Sequence, residues 1–358
     1  MHIGVPREIK TLEGRVGLVP SACSVLLRDG HQVFIERDAG RKAGFPDEAY
    51  LALGVKVVAD AAALFDVATL IVKVKEPQPS ELALLGPQHT LFGYLHLAGD
   101  FELARRLADT GCTAIAFETV RDADGRLPLL APMSHIAGRL AVLHGGSFLL
   151  APNGGRGVLL GGHAEGEHGR VTVIGGGVAG SSAAATAAAL GADVTVFDIQ
   201  AEKRDALRAL GANVTVLDPQ QVDLSGTVVD SDLVIGAVLI PGARAPHVVA
   251  ADMVRAMRAG SVVVDVSIDQ GGCIETVRPT TYAAPTFVWE EVIHYGVTNM
   301  PGAVPHTASL VLSDAIVPYV RHLAGDAWDD GGDLSQAVNV RDARVVHPQV
   351  LAAIDGQR

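Results

Sequence analysis

Three cysteines in 358 residues are too few and too scattered to staple a fold. Cys23, Cys112 and Cys273 form neither a disulfide framework nor the close spacing of a metal motif, so reduced thiols and no metal site are expected. Positive charge is also short: 28 Lys and Arg against 40 Asp and Glu leave a net charge of −12. A surface for nucleic acid or an anionic membrane needs a basic patch, which this balance does not supply. No apolar run approaches the roughly 18 residues of a bilayer span. Met1-His2-Ile3-Gly4 reads as the start of a strand rather than a signal peptide, so a cytoplasmic protein without a membrane partner is expected. Aromatics are only 4% of a chain that is 49% hydrophobic, the balance of an α/β core built from Ala, Val and Leu. A mean hydropathy of +0.30 suggests apolar surface buried between subunits.

Glycine, by contrast, is abundant, and residues 171–198, VTVIGGGVAGSSAAATAAALGADVTVFD, place it where it carries information. Four β-forming residues run into a glycine turn, an Ala-rich helix follows, and a second β-rich run closes on Asp198. In this pattern Gly175 allows a tight turn and Gly177 lets the backbone approach a pyrophosphate. Gly180 lets the helix pack against its strand, and the helix N-terminus offers unpaired N–H groups to the anion. Asp198 follows Gly180 at close to the ~20-residue spacing of an acid that binds a ribose 2′-hydroxyl. The same carboxylate repels a 2′-phosphate, so the expected cofactor is NAD. A purely structural glycine turn is the plainer reading, and the flanking strand, helix and acid weigh against it.

The preceding residues alternate predicted strands (3–5, 32–35, 55–59, 69–74, 90–95, 113–117) with helices (20–29, 47–53, 100–110), the rhythm of a parallel sheet covered on both faces. That part has no phosphate loop of its own. A boundary is predicted at 127–132, then a helix over 134–150 and a glycine-rich loop over 153–166. Residues 232–236 and 261–268 read as further strands and 307–324 as an apolar helix. The tail around 329–333 reads as polar loop before 345–348. The expected architecture is two Rossmann-like, doubly wound parallel-sheet domains. The first is discontinuous (1–129 plus 305–358, substrate-binding), and the second (130–304) binds NAD.

Four titratable residues fall at predicted strand ends, where open α/β sheets place their sites: Arg15 in RVGLVP, Lys75 in LIVKVKEP, His96 in LFGYLHLA and Asp269 in VVVDVSIDQGG. A guanidinium and an ammonium suit a small carboxylate, and histidine suits proton transfer near neutrality. Each also has a plainer reading: a surface ion pair for Arg15, a loop charge for Lys75, a structural histidine for His96, and a cap on the Gly271-Gly272 turn for Asp269.

The segments GVPREIKTLEGRVGLVP, LIVKVKEP, LFGYLHLA, RLPLLAPMS, DLVIGAVLIPGARAP, DVSIDQGGCIETVRPTTY and NMPGAVPHTAS, in this order over nearly the whole chain, resemble the alanine dehydrogenases. More distantly, the chain resembles the NAD-binding subunit of proton-translocating transhydrogenase and the lysine-forming saccharopine dehydrogenases. The resemblance implies that Arg15 and Lys75 hold the substrate's carboxylate and carbonyl, His96 acts as acid/base and Asp269 assists. It assigns cofactor contacts to Ser134, Asp198, Lys203, Ala237-Val238-Leu239, Ile268 and Asn299-Met300-Pro301, beside Gly175, Gly177 and Gly180. On its own Lys203 reads as a solvated helix charge. The chain departs from the family pattern at His135, at His306 and over loop residues 161–165, positions from which cofactor placement or substrate size can be altered.

What the resemblance implies is reversible oxidative deamination of L-alanine to pyruvate and ammonia with NAD, in a homohexamer, with domain closure excluding water. Alternatives are a related oxidoreductase acting on a larger amino or imino acid, a non-catalytic transhydrogenase-like subunit, and an NAD(H) sensor. The transhydrogenase-like reading needs a membrane partner and leaves His96 and Lys75 without a role.

Overall fold

The computed structural model describes residues 1–163, 166–240, 245–325, 328–329 and 331–355. Ala164 and Glu165 of the glycine-rich loop, residues 241–244 of DLVIGAVLIPGARAP and Asp330 of the tail lie outside the described residues. The chain forms two compact units, Met1–Met133 with Gly302–Arg358 and Ser134–Pro301.

Unit 1 is built on β1 (His2–Val5), β2 (Gln32–Glu36), β3 (Lys56–Val58), β4 (Leu70–Val72), β5 (Thr90–Gly93) and β6 (Thr113–Ala116). Unit 2 contributes β7 (Arg170–Ile174), β8 (Asp193–Phe197), β9 (Val214–Leu217), β10 (Leu233–Gly236), β11 (Val262–Asp265), β12 (Thr286–Trp289) and β13 (Val292–Tyr295). The chain then returns to unit 1 for β14 (Val338–Arg341) and β15 (Arg344–Val345).

Among the described residues the first sheet runs β15-β14-β6-β5-β4-β1-β2-β3 and the second β12-β13-β11-β10-β7-β8-β9. Both therefore contain the doubly wound order in which the chain steps outward from a central strand, reverses and steps outward again. The reversal lies between β1 and β4 in unit 1 and between β7 and β10 in unit 2. Inner strands such as Leu70-Ile71-Val72 and Val262-Val263-Val264 are buried along their length. Continuous apolar runs of this kind belong in parallel sheets covered on both faces.

Both sheets are mixed rather than wholly parallel, which corrects the expectation at their edges. β12 pairs antiparallel with β13, and β14 pairs antiparallel with both β6 and β15. The segment read as a loop-like tail therefore contains two strands, and buried Val338 and Val340 anchor them. Two strands of four and two residues offer too little alternation to outweigh the polar run before them.

Helix bounds follow local chemistry. Pro20 opens the Pro20–Arg28 helix, where its missing N–H costs nothing. Asp100 caps the Phe101–Asp109 helix by accepting the Leu103 N–H at 2.9 Å. The chain passes from unit 1 to unit 2 within the first turn of the Ala131–Phe148 helix. The strand read over 261–268 ends earlier, at Asp265, and Ile268–Gln270 forms a single 3₁₀ turn. Asp269 thus sits on a turn beyond the strand end.

Candidate active site

In unit 1 the parallel strands β4, β5 and β6 finish side by side. The segments leaving them carry Lys75, His96 and Glu118, while Arg15 comes from the loop after β1. Arg15 is only 2% exposed, so it is no surface ion pair. Glu13, also buried, takes the guanidinium in a two-point grip, Nε to Oε1 at 2.8 Å and Nη2 to Oε2 at 2.6 Å. Nη1 lies 3.2 Å from the Met133 sulfur. Burial alone pulls the Arg15 pKa down, but the Glu13 hydrogen bonds and charge outweigh it and leave it raised. This cation is permanent and held in one orientation.

Lys75 is 7% exposed, so it is not a solvated loop charge either. The two lysines of LIVKVKEP separate cleanly. Lys73 lies in a buried cluster, with Nζ 2.6 Å from Glu81 and 3.4 Å from Glu8, and Glu8 accepts the Val74 N–H at 2.7 Å. Burial raises the Glu8 pKa even though Lys73 opposes it. Glu76 pairs with Lys10.

His96 is open to solvent but carries a backbone φ of +52°, a left-handed conformation that non-glycine residues rarely adopt. Glu118 holds it there, accepting the His96 N–H at 2.6 Å and the Leu95 N–H at 3.3 Å. The ring stacks on Tyr94 at 5.9 Å, and Tyr94 packs edge-on to Phe117, which packs on Phe92. The Tyr94 hydroxyl donates to the Leu129 carbonyl at 2.6 Å. Several of the scarce aromatics thus form a rigid floor under one histidine. Crowding by surrounding protein, and then the cations Lys75, Lys10 and Arg15, hold the His96 pKa well below the ordinary imidazole value. The ring is a neutral base at pH 7.

In unit 2, Gly175, Gly177 and Gly180 turn the chain from β7 into the Val178–Ala189 helix. Gly175 has φ +97°, and a Cβ on Gly180 would lie 1.7 Å from the Gly175 carbonyl. A Cβ on Gly177 would meet nothing within 4 Å, and no side chain caps the helix start. Open space in front of uncapped helical N–H groups fits a pyrophosphate. Asp198 stands at the end of β8, accepting the Gly176 N–H on Oδ2 and the Gln200 N–H on Oδ1, both at 2.7 Å. Lys203 is half-buried on the next helix, and it is Arg204 that reaches Asp198, donating to its carbonyl at 2.9 Å.

Val238 and Leu239 follow β10, Ile268 and Asp269 follow β11, and Asn299 and Met300 follow β13. Asp269 is exposed and its Oδ2 lies 3.4 Å from the Asn299 N–H. The aspartate therefore links two of the predicted segments rather than capping Gly271-Gly272. Asn299 has φ +61°, and the Met300 carbonyl accepts the Tyr282 hydroxyl at 2.7 Å. Ser134 is half-buried in the first turn of its helix. His306, one of the departures from the family pattern, stacks on Phe45 at 5.0 Å and bonds the Ala43 carbonyl at 2.7 Å, a packing role inside unit 1.

Sequence reasoning missed Glu13 and Glu118. The strand-end rule that singled out Lys75 and His96 also points to Glu118, just past 113–117. Glu13 is marked only by being an acid two residues from Arg15.

Paired doubly wound sheets, an uncapped glycine turn and titratable side chains at strand ends define an α/β protein of the dinucleotide-binding class. The family model described as "Alanine dehydrogenase/PNT, N-terminal domain" matches residues 4–137, and the corresponding C-terminal domain model matches 141–348. The chain belongs to this alanine dehydrogenase/PNT family. An alanine dehydrogenase of Halomonas elongata is 47% identical, covering 99% of this chain and 96% of its own length. A solved L-alanine dehydrogenase superposes with a TM-score of 0.94 at 47% identity over the whole of both chains. A transhydrogenase from Sinorhizobium meliloti follows at 0.83 and 26% identity, over 97% of this chain and 99% of its own. Family and fold together imply a pyridine nucleotide cofactor. No helix among the described residues is long and apolar enough to cross a membrane, and no described group of three or more His, Cys, Asp or Glu could hold a metal ion.

Proposed function

We propose that this chain catalyses the NAD-dependent oxidation of L-alanine, with water, to pyruvate and ammonia, and the reverse amination. The observation that carries the reading is the grouping in unit 1 of two buried cations, Arg15 and Lys75, whose charges act on a neutral imidazole, His96. The near-full-length likeness to proteins named alanine dehydrogenase supports it. The proposed domains are residues 1–129 plus 305–358 for substrate and 130–304 for cofactor.

Arg15, fixed by Glu13, and Lys75 bind the substrate carboxylate through charge-assisted hydrogen bonds and so orient its Cα–H. When bound, the nicotinamide supplies a hydride acceptor. The unprotonated ring nitrogen of His96 takes a proton from the water that adds to the imino acid, then returns one to the departing amine. Asp269 assists in holding these protons. Gly175, Gly177 and Gly180 with the helix start hold the pyrophosphate, and Ser134, Lys203, Val238, Leu239, Ile268, Asn299 and Met300 complete the dinucleotide contacts.

Asp198 selects NAD. A 2′-phosphate beside this buried carboxylate needs a compensating cation, and Arg204 is committed to Asp218 at 3.0 Å and to the Asp198 carbonyl. Assembly into a homohexamer belongs to the same reading and is supported by solvent-open Leu143, Leu159 and Val288.

The test is NADH formation with L-alanine, beside glycine, L-serine, L-lysine and no substrate. Turnover of L-alanine that His96→Ala abolishes is the expected result. Dinucleotide binding without turnover of any of the four sinks the assignment.

A further inference from the structure

We propose that Asp265 is a positioning residue that sets the turn carrying Ile268 and Asp269, and through that turn the rate of the reaction. It is the last residue of β11 and is fully buried. Its carboxylate accepts three main-chain N–H groups: Ser267 on Oδ1 at 2.9 Å, and Cys273 and Ile274 on Oδ2 at 2.7 and 2.9 Å. One donor lies on the outgoing limb of the turn and two lie on the returning limb, so a single side chain closes the excursion. The socket has no slack. A Cβ on Gly272, at φ +77°, would meet Oδ2 at 2.9 Å, and one on Gly236 would meet Oδ1 at 3.3 Å and the Cys273 sulfur at 2.5 Å.

A buried carboxylate is a costly way to close a loop unless the loop must be held in one place. A serine or threonine offers fewer acceptor sites, and an asparagine turns an NH₂ toward backbone donors. What the turn presents is the exposed Asp269, whose Oδ2 faces the Asn299 N–H. Asp265 thereby fixes Asp269 and, through it, the Asn299-Met300 segment. The inference rests on the reading of Asp269 as an assistant to proton transfer.

The experiment is a double-mutant cycle on the full chain with Asp265→Asn, Asp269→Asn and the double variant. It reads kcat and KM for L-alanine oxidation, NADH binding by fluorescence titration, and Tm. Asp265→Asn is expected to lower kcat about 100-fold, the scale of a 1 Å misplacement. In the Asp269→Asn background the same change should matter by less than about 2-fold, because the two act as a unit. Multiplying losses would show that Asp265 acts on the rate independently of Asp269 and would overturn the proposal, and a wild-type kcat in Asp265→Asn with a lowered Tm would confine Asp265 to stability and overturn it too. A wild-type kcat in Asp269→Asn alone would overturn the reading of Asp269 and the inference with it, and that arm separates the two failures. If Asp265→Asn does not fold, Asp265→Ser, which keeps one acceptor and adds no bulk, enters the same cycle under the same criteria.

Discussion

The Glu118 carboxylate accepts the main-chain N–H of His96 at 2.6 Å, and the histidine it holds has a left-handed backbone. Such a conformation costs about 1–3 kcal/mol and persists only where its surroundings impose it. Glu118→Ala removes the acceptor and lets the 95–97 segment relax, so kcat for L-alanine should fall about 100-fold with little change in NADH affinity. Glu118→Gln keeps a carbonyl oxygen for the same N–H groups and should lose much less. Steady-state kinetics of the two variants decide it, and equal losses would place the effect in the charge rather than the geometry.

The depressed His96 pKa has a definite sign. An unfolded imidazole titrates at about 6.5, and above that pH both states are neutral and the shift contributes nothing. Below it the unfolded chain binds a proton that folded His96 refuses, so stability drops as pH falls from there to the lower folded value. His144, His294 and His347 are shifted the same way by burial, so the informative quantity is a difference. Between about pH 7 and pH 5, His96→Asn should lose less Tm than the wild type. Parallel Tm curves would show that His96 protonates normally.

Lys73 and Lys75, two residues apart, should fail differently. Lys73→Ala leaves Glu8 and Glu81 buried without their cation, a loss of about 3–5 kcal/mol in urea unfolding. Lys75→Ala should raise the KM for alanine with a smaller change in unfolding free energy. A Lys75 variant as unstable as the Lys73 variant would make both lysines structural.

Asp198→Asn removes the charge and keeps an acceptor for one of the two amides, Gly176 or Gln200, that bond separate oxygens of the carboxylate. Turnover with NADP should rise and turnover with NAD fall, read as the ratio of the two kcat/KM values. An unchanged ratio would remove Asp198 from cofactor selection.

Most of the parallel strands are legible because period and turn chemistry agree: 32–35 and 113–117 fall within a residue or two of β2 and β6, whereas the parallel strands β9 and β13, four residues each, carry too little period to be read. The glycine turn was legible because three glycines with three different steric duties share one short segment. The short edge strands β12, β14 and β15 were not, since a few residues carry no clear period. Nor was the burial of Arg15 and Lys75, because a charged side chain is placed by its partners, and Glu13 joins Arg15 only through the loop's conformation. The extension of 261–268 past Asp265 failed for a related reason: Val266 and Ile268 continue the apolar pattern, but the Asp265 carboxylate gathers the backbone amides into a turn instead.

The path of the chain has a consequence for how the protein is made. Unit 2 is one contiguous stretch, whereas β6 gains its outer neighbours only from β14 and β15. On the ribosome the second unit can complete its sheet while the first still has an open edge. For the time needed to synthesise the intervening residues, at about 5–20 per second, that edge is exposed to other nascent chains. In that interval the net charge of −12 sets a repulsion between partly folded chains that must be outweighed only later, when the folded surfaces are complete.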